Sequence, residues 1–465
     1  MAFINNLIST LGASLFLPFV LFIFALILGV KPGKAFRSVL LIAIALTALW
    51  WVLNPFIGFA GQAVSDMVKN SAVKLPYIDV GWPFAAAISY STKIGALIIP
   101  IGLAINLVML WLRWTDTFDL DLWNYWHWAF VGSMAYYATN NLWYGILAAI
   151  ATGMAALILG DITAPAMSKF FNLPGLSFPH FQSQATTFVA LPLNWVLDKI
   201  GLGKVHISSK TIREKLGIMG DSTVIAFILG IVIALLAWGK TKTNSIAGWA
   251  TILTVGVVVA GAVYLFPKVI GALMEGLVPI SESVRETFKK KGFKRELYFG
   301  MDTALTIGNP DVIATGLLVM ITAIPLMFVL PGNKFIYLAD LGVVPFFMSS
   351  TAVAITNGNI LKSYIIVMIT TIIGFYAVTL ACPLFTQIVI SLGKTLPMGV
   401  TKVGAGAMMM WTQELFYWLG ETPIGLIILF ASIFTVLFLF RKHKQAWYRA
   451  AGYVMEKMGS SKDTE

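Results

Sequence analysis

Residues 296–316, Glu-Leu-Tyr-Phe-Gly-Met-Asp-Thr-Ala-Leu-Thr-Ile-Gly-Asn-Pro-Asp-Val-Ile-Ala-Thr-Gly, decide how the chain is read. A basic run ends at Arg295 and a long apolar segment follows Val312. Between them lie Asp302, Thr303, Thr306, Asn309 and Asp311, with Gly300, Gly308 and Pro310 breaking any regular pattern. Lipid cannot satisfy free backbone N–H and C=O groups, so a polar, helix-breaking insert at membrane depth survives only where protein or a watery cavity surrounds it. In transporters such broken segments often build the substrate site. The competing reading is a surface loop in which Asn309 caps a helix that has Pro310 at its first position.

The rest of the chain makes a membrane setting the natural one. Of 465 residues, 58% are hydrophobic and 11% charged, against about 25% charged in soluble domains. Mean hydropathy is +0.84. This composition predicts an all-α polytopic membrane protein. The apolar run after Leu11 lacks a basic leader and a small-residue cleavage site, so it reads as a first span rather than a signal peptide.

Apolar stretches near 11–30, 38–57, 94–112, 142–160, 222–238, 247–266, 311–330, 335–356, 361–381 and 423–440 are each long enough to cross a bilayer, at roughly 17–25 residues per crossing. Shorter pieces near 127–139, 183–198 and 382–392 span, half-span or re-enter. The net charge of +11 resides in loops between spans, the positive-inside pattern, and carries no nucleic-acid signal. If 127–139 crosses and the other two short pieces do not, eleven crossings put Lys31–Arg37, Lys199–Lys215, Arg285–Arg295 and Arg441–Lys444 on one side, the cytoplasm. The N-terminus is then outside and the C-terminus inside, with Lys240 and Lys242 as exceptions. Paired spans at 11–57 and again at 222–266, each followed by an interrupted polar-spotted region, hint at an internal duplication. Residues 203–217 read as soluble, with Ser208 or Ser209 capping a short helix that Gly217 ends. Residues 280–295 read as an amphipathic helix leading into a basic turn.

Ionisable groups in apolar surroundings are expensive and are functional candidates by default. Asp79-Val-Gly-Trp82-Pro83 sets a carboxylate beside a flat aromatic face, a combination suited to a polyol; an external loop with an interfacial Trp is the competitor. Asp119 and Asp121 begin a helix, where carboxylates suit the positive end of its dipole, and His127 follows about two turns on. His180 and Gln182 enter an apolar region after Pro174, Gly175 and Pro179, and offer both donors and acceptors. A structural hydrogen bond between helices would use the same residues.

No metal cluster, nucleotide loop or cofactor motif is evident. Cys382 is the only cysteine and lies in an apolar run, so no disulfide and no credible phosphate-accepting nucleophile is present. The residues alone leave an ion-coupled secondary transporter open, since buried Asp and His serve as proton relays.

Taken in order, Asp79-Val-Gly-Trp-Pro83, Trp123-Asn-Tyr-Trp-His127, Phe178-Pro-His180, Gly300-Met-Asp302, Val329-Leu-Pro-Gly-Asn333, Ala339-Asp-Leu-Gly342 and Asn357-Gly-Asn359 resemble the membrane (IIC) component of galactitol-type phosphotransferase-system carriers. The wider group includes the ascorbate carriers. The likeness runs over about residues 10–440.

The resemblance implies a bacterial inner-membrane permease that carries a polyol inward as a separate IIB subunit, charged through IIA, phosphorylates it. It further implies a homodimer working by an elevator motion. Scaffold spans would lie at 1–60 and 222–295, the latter with a basic cytoplasmic segment that is also a candidate IIB contact. Core repeats would lie at 61–200 and 296–422, a cytoplasmic loop at 201–221, and the last span and tail at 423–465. Carried over residue by residue, the substrate contacts are Asp302 and His180, then His127, Gln182, Asp79 and Trp82, with Thr303 and Asn309 beside them. Asp302 or His180 would ease deprotonation of the substrate hydroxyl.

Three departures bear on specificity. The galactitol pattern has Pro at Thr303, His at Asn309 and a Gly-Thr pair at Phe181-Gln182. Gln after the His is closer to the ascorbate-type carriers. Another hexitol or a pentitol fits as well as galactitol.

Overall fold

The computed structural model describes residues 13–27, 29–69, 76–119, 121–290, 297–337, 339–394, 396 and 401–453. The end of the basic segment, 291–295, and the tail after Lys457 lie outside the described residues. The chain is a predominantly helical polytopic membrane protein with two small sheets. Among the described residues, six helices are long and apolar enough to cross a membrane.

The element order repeats itself. The first half runs α1 (Ala13–Ile27), α2 (Pro32–Lys69), β1 (Tyr77–Asp79), α3 (Trp82–Ser91), α4 (Lys93–Trp111), β2 (Thr117–Asp119), α5 (Leu122–Thr139), α6 (Leu142–Phe170), β3 (Leu176–Ser177), α7 (Phe181–Gln184) and α8 (Thr187–Lys199). After a connecting segment holding α9 (Ser209–Leu216), the second half runs α10 (Ser222–Lys242), α11 (Ile246–Lys290), β4 (Tyr298–Gly300), a single 3₁₀ turn (Thr303–Thr306), α12 (Pro310–Val329), β5 (Phe335–Ile336), α13 (Val344–Ile355), α14 (Ile360–Ser391), β6 (Lys402–Gly404), a second 3₁₀ turn (Gly406–Met409) and α15 (Trp411–Gly420). It closes with α16 (Pro423–Lys442) and α17 (Lys444–Ala450). Pair for pair, each half offers two helices, a strand, a short helix, a span, a strand, two helices, a strand and a short helix with its continuation. The duplication hinted at by the paired spans is thus carried by the architecture, where residue identity does not reveal it.

The strands bind the halves together by exchange. One sheet has the order β5-β1-β6, the other β2-β4-β3, and all pairings are parallel. In each, the central strand comes from one half and both flanking strands from the other. Tyr77 pairs with Phe335 and Lys402, and Gly300 with Asp119 and Ser177. These short ladders let interrupted backbone satisfy its hydrogen bonds without water, the condition for irregular chain at membrane depth.

Helices α1, α2, α10 and α11 pack on one another. At 1.5 Å per residue, α2 and α11 are about 57 and 68 Å long, well beyond a hydrocarbon core of about 30 Å. They approach closely at Gly276, where an added Cβ would lie 2.6 Å from the Ser38 carbonyl. The pair is tied by Arg37–Glu275 at 2.7 Å, and Trp238 of α10 donates to Asp66 of α2 at 3.0 Å.

Several expectations are corrected. The apolar run 335–356 is not one span: it folds as β5, a turn and the 12-residue α13. Asp340 and Pro345 interrupt it, and Asp340 accepts N–H groups from Trp82 and Ala407. The piece 382–392 is no separate segment but the end of α14. The stretch 183–198 divides between α7 and α8. The helix over 280–290 is the continuation of α11. The short helix of 203–217 begins and ends as expected: Ser208 caps α9 in a reciprocal capping box and Gly217, at φ 57°, ends it.

That loop is pinned to the second half. Asn359 Nδ2 donates to the Val205 carbonyl at 2.7 Å, the Ile360 N–H to Ile207 at 2.7 Å, and the Ser209 N–H to Asp311 at 2.6 Å. Lys362 and Asp198 form an ion pair at 2.6 Å.

At the start of β2 a charged knot ties in the C-terminal end of α16. Arg441 reaches Asp116 at 2.7 Å and Asp161 at 3.4 Å, and Lys444 reaches Asp116 at 2.8 Å. Burial works against ionisation of Asp116, and Arg441 with Lys444 outweighs it, so the carboxyl sits below the usual carboxylate range. The folded state therefore binds this proton less readily than the unfolded chain, and acid favours unfolding. The contribution is present at neutral pH and is lost as pH falls through about 4 and below. Thermal unfolding of the detergent-solubilised protein between pH 7 and pH 3 checks this: the midpoint falls on the acid side. Asp116→Asn gives a shallower fall from a lower starting point.

Candidate functional site

The parallel ladder β2-β4-β3 places three chain breaks side by side, and the residues leaving its strands converge. Asp121 follows β2 and caps α5, accepting from the Trp123 N–H at 3.1 Å. Its other oxygen accepts the Asp302 N–H at 2.9 Å. Asp302 follows β4 and caps the 3₁₀ turn through the Ala304 N–H at 2.8 Å. The same Oδ1 lies 3.8 Å from Nε2 of His180, which follows β3.

His180 Nε2 is 3.2 Å from His127 Nε2, in the second turn of α5. Gln413, in the first turn of α15, donates to His127 Nδ1 at 2.8 Å. Gln413, His127, His180, Asp302 and Asp121 thus form one connected polar chain drawn from four segments.

The protons on this chain follow from its donors. With Gln413 donating to Nδ1, the His127 proton sits on Nε2 and is given to Nε2 of His180. The His180 proton then sits on Nδ1, 3.4 Å from Ser183 Oγ. Phe347 lies against the His180 ring at a centroid distance of 5.1 Å. Both imidazoles are buried, and the Asp302 side chain is the open member at 17% exposure against 3% for His180. Asp302 is therefore the member of the chain that a ligand could reach. The arrangement can accept a hydroxyl hydrogen bond at Asp302 and pass or hold a proton along the imidazoles.

Gly300 makes the approach of β4 possible. A Cβ there would lie 2.8 Å from Asp119 Oδ1 and 2.9 Å from Asp119 Cα. Gly300→Ala is expected to cost about 1–3 kcal/mol by overpacking and to displace Asp302. It would be read as a lower unfolding midpoint together with weaker ligand binding.

The other sequence candidates fall in three places. Gln182 and Thr303 are buried next to His180 and Asp302, and their Nε2 and Oγ1 atoms have no hydrogen-bond partner among the described residues. Trp82 packs edge-on to Trp123 at 5.4 Å.

Asp79 and Asn309 serve backbone. Asp79 accepts the N–H groups of Gly81, Gly406 and Asp340 at 2.9, 3.0 and 2.8 Å, holding the sheet β5-β1-β6 to the turns that follow it. Asn309 caps α12 through the Asp311 and Val312 N–H groups, with Pro310 at the first position. That is the capping reading of the opening stretch.

Gln413 is the member that sequence reasoning missed. The signal was available: Thr412-Gln413-Glu414 interrupts an otherwise apolar run from Val403 to Gly420. The criterion that singled out His180 applies there equally.

Fold and site together define a duplicated membrane protein whose interrupted segments converge on a buried polar chain. The sequence profile of the PTS system sugar-specific permease component (EIIC-GAT) matches residues 6–399, and the chain belongs to that family. It is 31% identical over 441 residues to a provisionally named permease IIC component of Escherichia coli (strain K12), covering 94% of this chain and 98% of the relative. It is 29% identical over 450 residues to the PTS system galactitol-specific EIIC components of E. coli K12 and O157:H7, covering 96% of each chain.

Proposed function

We propose that this chain is the IIC permease of a phosphotransferase system that takes a sugar alcohol, galactitol or a related polyol, into the bacterial cell. A separate IIB subunit, recharged through IIA, phosphorylates the polyol on delivery. The observation that carries the reading is the convergence of Asp302, His180 and His127 from separate interrupted segments. Family membership and the galactitol-specific relatives support the substrate class.

In this reading Asp302 accepts a substrate hydroxyl, and Gln182, Thr303 and Trp82 line its approach. As the phosphoryl group leaves the IIB phosphocysteine, the S–P bond breaks and an O–P bond forms. The hydroxyl proton passes to Asp302, or to His180 Nε2 once the His127 N–H is withdrawn from it; either role requires hydrogen-bond reach of the hydroxyl. Asp79 and Asn309 shape the site by holding the turns.

The packed set α1, α2, α10 and α11 is the scaffold, in a homodimer, and the interrupted regions beyond it, within 61–200 after the end of α2 at Lys69 and within 296–422, form the core that moves in an elevator step. The basic loops support an N-terminus outside and a C-terminus in the cytoplasm; because 335–356 folds as strand, turn and short helix, the count of eleven crossings that included it does not hold.

Binding of labelled galactitol to the purified protein, competed by other hexitols, pentitols and ascorbate, tests the substrate class. Competition by hexitols or pentitols and none by ascorbate is expected. Competition by ascorbate alone, or no polyol binding, overturns it.

A further inference from the structure

Three consecutive residues in the first turn of α15 carry buried side-chain atoms that have no hydrogen-bond partner among the described residues: Thr412 Oγ1, Gln413 Oε1 and both carboxyl oxygens of Glu414. Their exposures are 1%, 0% and 1%. Buried polar atoms are satisfied with few exceptions, and a buried carboxyl with no partner is the costliest kind to keep.

This turn is also joined to the site described above. Gln413 Nε2 donates to His127 Nδ1 at 2.8 Å. Phe416, one turn on, packs against Phe181, the residue between His180 and Gln182, at 5.4 Å. The internal duplication supplies a reason for the position. The turn and helix after β6 are the second-half counterpart of the segment after β3, which bears His180 and Gln182.

We infer that Glu414, with Gln413 beside it, is a second hydroxyl-binding subsite for the same polyol, and that it sets the preference for chain length. The inference rests on the polyol reading of the site. Glu414 directly follows Gln413 in the first turn of α15, and Gln413 makes the contact to His127. A carboxyl with two open oxygens can take two neighbouring hydroxyls at once, and Gln413 Oε1 can take a third. A polyol too short to span from Asp302 to α15 would engage the first group and miss the second.

The test is equilibrium binding of labelled galactitol, a pentitol and a tetritol to the purified full-length protein in lipid nanodiscs. The unaltered chain is compared with Glu414→Leu and Glu414→Gln, each checked for monodispersity and unfolding midpoint. Glu414→Leu is expected to weaken hexitol binding about tenfold or more, the size of charged hydrogen bonds lost, and to leave tetritol binding within about twofold. Glu414→Gln keeps one acceptor oxygen and falls between. Should Glu414→Leu not fold, Glu414→Gln alone must still lower the hexitol-to-tetritol ratio.

Unchanged affinities across the series in both variants, or equal losses for every chain length, overturn the subsite and leave Glu414 a structural residue. Absence of any polyol binding by the unaltered protein overturns the polyol reading and the subsite with it.

Discussion

Asp302→Asn is expected to lower polyol phosphorylation by the assembled system about 10²–10⁴-fold while leaving the protein folded and inserted. The substitution isolates charge from structure. Asp302 Oδ1 caps the 3₁₀ turn through the Ala304 N–H, and Asn supplies the same carbonyl oxygen with a side chain equally suited to a cap. Its backbone N–H still reaches Asp121. What Asn cannot do is take a proton from a substrate hydroxyl. Loss of general-base assistance reduces turnover about 10²–10⁴-fold, and a weaker acceptor adds a loss in binding. His180→Ala is expected to be nearly as severe, because it removes the imidazole 3.8 Å from Asp302 and leaves His127 Nε2 without its partner. Phosphorylation by purified IIC, IIB and IIA with phosphoenolpyruvate measures the effect. Normal turnover and normal binding in Asp302→Asn would remove Asp302 from the chemistry.

Asp79→Ala is the second large effect, and it falls on stability. Three buried backbone N–H groups, those of Gly81, Asp340 and Gly406, end on its two oxygens. Leaving a buried donor unmet costs about 1–3 kcal/mol each, so the sum is of order 4 kcal/mol, a large part of a typical stability of 5–15 kcal/mol. Low abundance in the membrane and a strongly reduced unfolding midpoint are expected. Asp79→Asn falls between, because one oxygen keeps its role while an amide N–H₂ faces the Asp340 N–H. A variant with wild-type stability that has lost only ligand affinity would return Asp79 to the substrate contacts.

The parts of this fold that are legible in sequence are those specified locally. Residues 94–112, 311–330 and 423–440 read as spans and fold as α4, α12 and α16, because an uninterrupted apolar run of that length has few other ways to satisfy its backbone in lipid. The loop around Ser208 was readable because capping is written in neighbouring residues. Residues 335–356 were not, since apolar composition does not separate a buried strand, turn and short helix from one span. The two sheets are built from strands of two or three residues, too short for any periodicity, and their partners lie in the opposite half of the chain.

The same limit applies to the site. His127, His180 and Asp302 were visible as costly groups in apolar, broken segments. Gln413 gains its meaning from a partner 286 residues away, and Asp79 from the N–H groups it holds. Neither relation is encoded in local spacing.

What drives uptake separates a phosphotransferase permease from an ion-coupled transporter. Membrane vesicles carrying this chain would be incubated with labelled galactitol or the best-binding polyol and their uptake followed. One arm contains phosphoenolpyruvate, the general phosphotransferase proteins and the matching IIA and IIB; the other contains only a proton or sodium gradient. Label is expected to accumulate as polyol phosphate in the first arm, to cease doing so when IIB is left out, and not to accumulate under the gradient alone. Accumulation of free polyol driven by the gradient without IIB would contradict the phosphotransferase reading and make Asp302 and His180 ion-coupling groups instead.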